Sequence, residues 1–310
     1  MTKKRLLIFL LILSAFCLAA DDADGLLSRI RKTHYQDLVV TPGSFTYEDT
    51  GIAGPFSLYI QQFLRERFTA HSGYTLFDYD GPAHLSPEVG KAFKDVFGAG
   101  DMQTLAWGKY YPVSGGVKVW LEIFDLGTHS PISSGEFVLP SRDIPEEYPL
   151  LPERWETAMR VNRELKSAVT QGTESGFSVY AALDKGSSPV YRLGDELTIY
   201  IYANQDAYIK VYHTNAEGEK SLIFPNRYHP DNKVSGGDLL RIPNDGYPFR
   251  FSVTEPLGVE QILVAASPSQ FKDIEEAFTE LSMETVTRGI TVVQADASRD
   301  EEILIMTVME

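Results

Sequence analysis

Residues 191–228 read YRLGDELTIYIYANQDAYIKVYHTNAEGEKSLIFPNRY, and their hydrophobic period is two. Leu197, Ile199 and Ile201 alternate with Thr198, Tyr200 and Tyr202. After the corner Asn204-Gln205-Asp206, Ile209 and Val211 alternate with Tyr208, Lys210 and Tyr212. Successive side chains of a strand point to opposite faces, so each run presents one apolar face to a core. A third run, Ser221–Phe224, follows the Glu217-Gly218 turn and stops at Pro225, which has no N–H to offer a ladder. Helices are excluded from this stretch by its period, and an antiparallel β unit is expected.

The same grammar continues on both sides. Phe177–Leu183, Leu239–Ile242, Phe249–Val253, Gln261–Ala266, Gly289–Val293 and Ile303–Met309 are short strand-like runs separated by Gly, Pro and Asn. Phe271, Ile274, Phe278 and Leu281 alone fall at helical spacing, within Gln270–Ser282. Residues 177–310 are therefore expected to form an all-β sandwich, immunoglobulin-like, with one inserted helix.

Upstream of a linker at Thr173-Glu174-Ser175-Gly176 the pattern is mixed. Leu38-Val39-Val40 begins a strand. Pro55 opens a helix over 55–70, with Phe56, Tyr59, Ile60, Phe63, Leu64 and Phe68 on one face. Tyr74–Tyr79 reads as a strand. Ser86-Pro87-Glu88 opens a second helix whose stripe is Val89, Ala92, Phe93, Val96 and Phe97. Strands 104–113 and 117–125 join at Ser114-Gly115-Gly116, and 132–139 adds another. A helix over 153–170 closes the region. Residues 35–172 are expected to be an α+β module with helices packed on a mixed sheet.

The N-terminus speaks to location. Lys3, Lys4 and Arg5 precede the apolar run Leu6–Phe16, followed by Cys17-Leu18-Ala19-Ala20 and then Asp21-Asp22. This is the layout of a secretory signal over residues 1–20, too short for a membrane span. Cys17 is the sole cysteine among 310 residues. Two fates are open to it: removal with the signal, or acylation as a lipoprotein anchor. Phe16 and Ser14 stand where a lipobox favours a small residue and Leu. An exported protein, periplasmic or outer-membrane-associated, is expected, touching membrane only through a lipid on Cys17. The formal charge of −15 argues against nucleic acid, whose phosphates require a basic surface.

Several ordered pieces carry a resemblance. Val190-Tyr191-Arg192-Leu193-Gly194-Asp195, Ala203-Asn204-Gln205-Asp206-Ala207-Tyr208, Leu222-Ile223-Phe224-Pro225-Asn226, Ile242-Pro243, Glu255-Pro256-Leu257-Gly258 and Ala265-Ala266-Ser267 occur in sequence. Together they resemble the bacterial family catalogued as domain of unknown function 4384, which implies an exported envelope protein and assigns no activity. Helix 55–70, Tyr74-Thr75-Leu76-Phe77, Leu105–Tyr111 and Val117–Asp125 are similar to modules of TolB amino-terminal, curli-secretion-type and penicillin-binding-protein-activator proteins. That likeness implies docking or assembly, not catalysis.

Motifs for chemistry are sparse. The six histidines (His34, His71, His84, His129, His213 and His229) have no metal-ligand spacing, and no nucleophile elbow or phosphate loop occurs. No catalytic residue, metal site or cofactor is expected. The candidate binding residues are Asn226, Arg227, Tyr228, His229 and Asp231, on a loop that leaves a rigid strand. A structural reading stands beside it: Pro225 ends the strand and Asn226 ties its own turn. Asn204 and Asp206 share that ambiguity. The expected function is non-enzymatic binding or scaffolding, with envelope proteins or cell-wall glycan as partners. The alternatives are an envelope hydrolase using Asp195 and Asp206, at opposite ends of one strand length, or a lipid-tethered structural lipoprotein.

Overall fold

A mixed α+β region built on one sheet comes first and a β-rich region follows. The computed structural model describes residues 22–33, 37–77, 104–125, 127–128, 130–168, 176–186, 189–271 and 300–310. Cys17 and the expected signal, the helix expected at 86–97, the helix expected at 270–282 beyond Phe271, the strand expected at 289–293, and His34, His84 and His129 lie outside those residues.

Helix α1 (Ala23–Thr33) is an element with no counterpart in the sequence expectations. Asp22 caps it, its Oδ1 accepting the Gly25 N–H at 2.7 Å. Leu26, Leu27 and Ile30 are buried on one side. Helix α2 (Pro55–Ala70) starts on its proline as expected and buries Phe56, Ile60, Leu64 and Phe68, a four-residue spacing that makes one face. Both helices share a core with a five-stranded sheet. Its strands are β1 (Leu38–Tyr47), β2 (Tyr74–Leu76), β3 (Thr104–Val113), β4 (Gly116–Asp125) and β5 (Ser130–Pro140), in the order β2-β1-β3-β4-β5. β1 is parallel to both β2 and β3, and β3, β4 and β5 form an antiparallel meander. The hairpin signal holds: Val113 pairs with Gly116, and Gly115 between them has φ +81°.

The β-rich region comprises β6 (Val179–Leu183), β7 (Val190–Arg192), β8 (Glu196–Leu197), β9 (Ile199–Ala203), β10 (Ala207–Thr214), β11 (Lys220–Phe224), β12 (Lys233–Val234), β13 (Leu239–Ile242), β14 (Phe251–Ser252), β15 (Gly258–Ser267) and β16 (Asp300–Met309). One sheet runs β11-β10-β15-β16-β7, with β12 also on β10. A second runs β13-β9-β6, and β14 pairs with β8 apart. Residues of both sheets share one core, formed by Val179, Leu197, Ile199 and Ile201 with Ile209, Val211, Ile262, Val264, Met306 and Val308. These are the apolar halves of the alternating runs.

Two features of the 191–228 stretch were not expected. The strand read as 197–203 is broken at Thr198, because Asp184 reaches in: its Oδ1 accepts the Thr198 N–H at 3.2 Å, and its own N–H donates to the Thr198 carbonyl at 3.0 Å. The Asn204-Gln205-Asp206 corner does not join hydrogen-bonded neighbours either. It carries the chain from β9 in one sheet to β10 in the other.

Helix α3 (Trp155–Ala168) lies against the second region. Its Ala158 clusters with Val259 of β15 and with Ile52 from the loop after β1. Gln261 donates to the Ala158 carbonyl at 2.9 Å, and Thr307 donates to the Ala53 carbonyl at 2.5 Å. Arg154 donates to the Leu257 carbonyl at 2.9 Å. Gly258 allows the close approach. Its φ is +135°, and a Cβ there would stand 2.7 Å from the Glu153 carbonyl oxygen and 2.9 Å from the Ala216 Cβ.

Candidate functional site

β11 delivers Phe224 into the core, and a cis Phe224–Pro225 bond turns the chain out. Asn226 then folds the loop onto itself. Its Oδ1 accepts the N–H groups of Tyr228 (2.9 Å) and His229 (3.1 Å), and its Nδ2 donates to the Ile223 carbonyl (3.0 Å). Backbone bonds of 3.1 Å between Asn226 and His229 in both directions complete the turn. Asp231 Oδ1 accepts the Lys233 N–H at 3.0 Å, and Asn232 pins the loop's far end to Ile209 of β10. Asn226 is thus occupied in shaping the loop, in line with its structural reading, and Asp231, read as a binding residue, also ties loop backbone.

The rings of the loop meet partners from a distant segment. The His229 ring stacks on Tyr247 with centroids 4.1 Å apart and lies 5.7 Å from buried Phe224. Tyr247 lies 5.4 Å from Phe249, which lies 6.4 Å from Tyr228 and 5.4 Å from Phe251. A continuous aromatic shelf results, anchored inside by Phe224 and ending outside at Tyr228, which is 49% exposed. The Arg227 guanidinium lies 4.6 Å over the Tyr228 ring and donates to its hydroxyl. Burial, with Asp231 nearby, raises the Tyr247 phenol above its ordinary range. Tyr247, Phe249, Phe251 and Arg250 were not among the residues expected at this site. The signal available was the run Tyr247-Pro248-Phe249-Arg250-Phe251, dense in aromatics beyond what one short strand requires.

Arg250 donates from Nη1 to the carbonyls of Phe249 (2.9 Å) and Tyr247 (3.2 Å). Neither Arg227 nor Arg250 has a carboxylate within ion-pair distance among the described residues, whereas Arg67, Arg154, Arg160 and Arg241 each have one. Asp245 is paired with Arg241 at 3.5 Å. The shelf offers ring faces and guanidinium groups. It brings no nucleophile against a general base.

The carboxylates of the hydrolase alternative are committed separately. Asp195 pairs with Lys185 at 2.5 Å and accepts the Arg192 N–H at 2.9 Å; that N–H first, then Lys185, hold its pKa below the usual carboxylate value. Asp206 accepts the Gly236 N–H at 2.9 Å. Asn204 accepts the Ser178 N–H and donates to the Gly176 carbonyl, so both corner residues tie the corner to segments remote in sequence rather than closing their own turn. His71 and His213 bond Asp24 (3.0 Å) and Glu260 (2.8 Å), each remote in sequence and outside the loop. Among the described residues no three His, Cys, Asp or Glu side chains are grouped as metal ligands. An open depression of about 450 Å³ at the junction, lined by Glu153, Arg154, Glu217, Glu255, Pro256 and Leu257, holds the Arg154–Glu217 pair at 3.6 Å.

The ordered pieces from Val190 to Ser267 fall on β7, β9, β10, β11, β13, β15 and their turns. A family model described as Domain of unknown function matches residues 190–270. Residues 190–270 are a DUF4384 domain. The shelf lies within it.

No curated protein gives a significant match to the chain in sequence. Among solved structures, the LpoB C-terminal domain from Salmonella enterica is similar at 11% identity and a TM-score of 0.27, over 38% of this chain and 95% of that one. The LpoB C-terminal domain from Escherichia coli is similar at 10% identity and a TM-score of 0.29, over the same shares. TolB from Acinetobacter baumannii is similar at 11% identity and a TM-score of 0.25, over 74% of this chain and 58% of that one. The expected TolB likeness is therefore present but distant. Likenesses this slight carry no argument about role.

Proposed function

We propose that this chain is a non-enzymatic, exported cell-envelope protein that binds another envelope component through the shelf of its DUF4384 domain. Residues 35–172 act as a docking module, and residues 177–310 form an immunoglobulin-like sandwich that presents the shelf. The observation that carries the reading is the exposed Tyr228 ring at the end of an aromatic row, beside guanidinium groups with no acid partner among the described residues. Exposed aromatics on a loop held by a rigid scaffold are a recurrent binding arrangement. Asn226 and Asp231 set the loop, His229 anchors it, and Arg227 and Tyr228 meet the ligand. Export follows from the signal layout of residues 1–20. Partners are envelope proteins or cell-wall glycan. Membrane contact requires acylation of Cys17, which acyl labelling with a Cys17→Ser control decides.

Retention of the full chain on isolated bacterial envelopes tests the binding role. Tyr228→Ala is expected to reduce retention about tenfold, in the range lost with one anchoring ring, with no muropeptide released by either protein. Equal retention of the two proteins would overturn the shelf as the binding site. Muropeptide release abolished by Asp195→Asn would instead establish the hydrolase.

A further inference from the structure

Resting on that reading of the shelf, we propose that its ligand is a carboxylate-bearing saccharide: a pyranose ring packed on exposed Tyr228, with an acid group met by the arginines of the shelf, Arg227 and Arg250. Three observations converge on this class. The first is charge. In a chain of net charge −15, the two arginines at the shelf have no carboxylate partner among the described residues, while the rim acid Asp245 is paired with Arg241 and Asp231 accepts the Lys233 N–H. A guanidinium binds a carboxylate through paired N–H donors, so an anion is the complement.

The second observation is the kind of contact on offer. Backbone groups around the shelf are consumed internally: the Tyr228 and His229 N–H groups by Asn226, the Ile223 carbonyl by Asn226, and the Tyr247 and Phe249 carbonyls by Arg250. An extended peptide seeks main-chain bonds along an edge. Sugar rings present flat C–H faces to the negative face of an aromatic ring and need none.

The third is size. Among the described residues the exposed large hydrophobics are Val113, Leu193 and Tyr228, and of these only Tyr228 belongs to the shelf. A stable protein interface takes roughly 20–30 residues a side. A row of rings with one exposed end fits a short oligosaccharide instead.

Titration calorimetry on the full chain tests this with three probes: peptide-free cell-wall glycan strands, whose muramic residues carry a carboxylate; the same strands with that carboxyl amidated; and an acidic, aromatic-containing decapeptide. The native strands are expected to bind. Amidation, or the double change Arg227→Ala with Arg250→Ala, is expected to weaken binding at least about tenfold, in the range of a lost charged hydrogen bond. Tyr228→Ala should weaken native and amidated strands by the same factor. Equal binding of native and amidated strands would overturn the acid-recognising role. Binding of the peptide alone, lost in Tyr228→Ala, would overturn the saccharide while leaving the shelf as the binding site. No binding of any probe, with envelope retention unchanged by Tyr228→Ala, would overturn both.

Discussion

The junction under α3 and the aromatic shelf are both built on the DUF4384 sheet, yet they treat polar groups in opposite ways. At the junction, Gln261, Thr307 and Arg154 each find a backbone carbonyl contributed from outside their own region, or held across from it, and Ala158, Val259 and Ile52 close over them. At the shelf, two guanidiniums find no acid among the described residues and Tyr228 stays half open to water. A surface whose polar groups are satisfied internally supports a fold. One that leaves charges without partners beside exposed rings is suited to a ligand.

Substitution at Gly258 should break the comparison on the junction side most strongly. Gly258→Val places a Cβ against Glu153 and Ala216 at a φ that side chains rarely adopt. Backbone strain and overpacking, about 1–3 kcal/mol each, sum to a loss on the order of 4 kcal/mol. Urea unfolding of the full chain measures it. A loss under 1 kcal/mol would mean that the junction is not tightly packed, and ligand binding at the shelf should persist in the folded fraction.

Glu302, on the core side of β16 beside Asp300, sharpens the comparison through pH. Burial first, then Asp300, pushes its carboxyl up to about 7 from 4.5. Between those values the folded protein keeps a proton that the unfolded chain has released, so stability is fully present below about pH 4.5 and falls as pH rises through 7. The fall attributable to this group is on the order of 2 kcal/mol after solvent screening. Glu302→Gln should remove that part of the pH slope. An unchanged slope would show that the carboxyl is solvated in the native state.

Asn226 links the two behaviours. Asn226→Ala leaves the Tyr228 and His229 N–H groups without their acceptor and should cost about 1–2 kcal/mol in unfolding experiments. It should also weaken ligand binding by loosening the ring row. Intact binding with full stability would mean that the loop does not depend on this turn.

Much of the scaffold was legible in order along the chain. The alternation of Leu197, Ile199 and Ile201, and of Ile209 and Val211, identified the core face correctly, because period two leaves only one face per strand to bury. The helix at Pro55 and the hairpin at Gly115 were legible because they rest on local chemistry: a fixed φ in one case, a positive φ in the other. α1 was not foreseen, since a short helix of mixed polarity is held by the core it joins.

The candidate site divides the same way. Asn226 as a turn former and Tyr228 as an exposed ring could be read from the loop itself. The convergence of that loop with Tyr247, Phe249 and Arg250 could not, because nothing local specifies which distant segment a loop will meet. Sequence by itself determined the strand faces, the turns and the DUF4384 pattern. Tertiary structure alone decided that Asp184 interrupts a strand at Thr198, that the Asn204–Asp206 corner changes sheets, that α3 lies on β15, and that Arg227 and Arg250 meet no acid partner among the described residues. The physical reason is range: dihedral preference and periodicity act over a few residues, whereas pairing, burial and charge compensation depend on groups brought together across the whole chain.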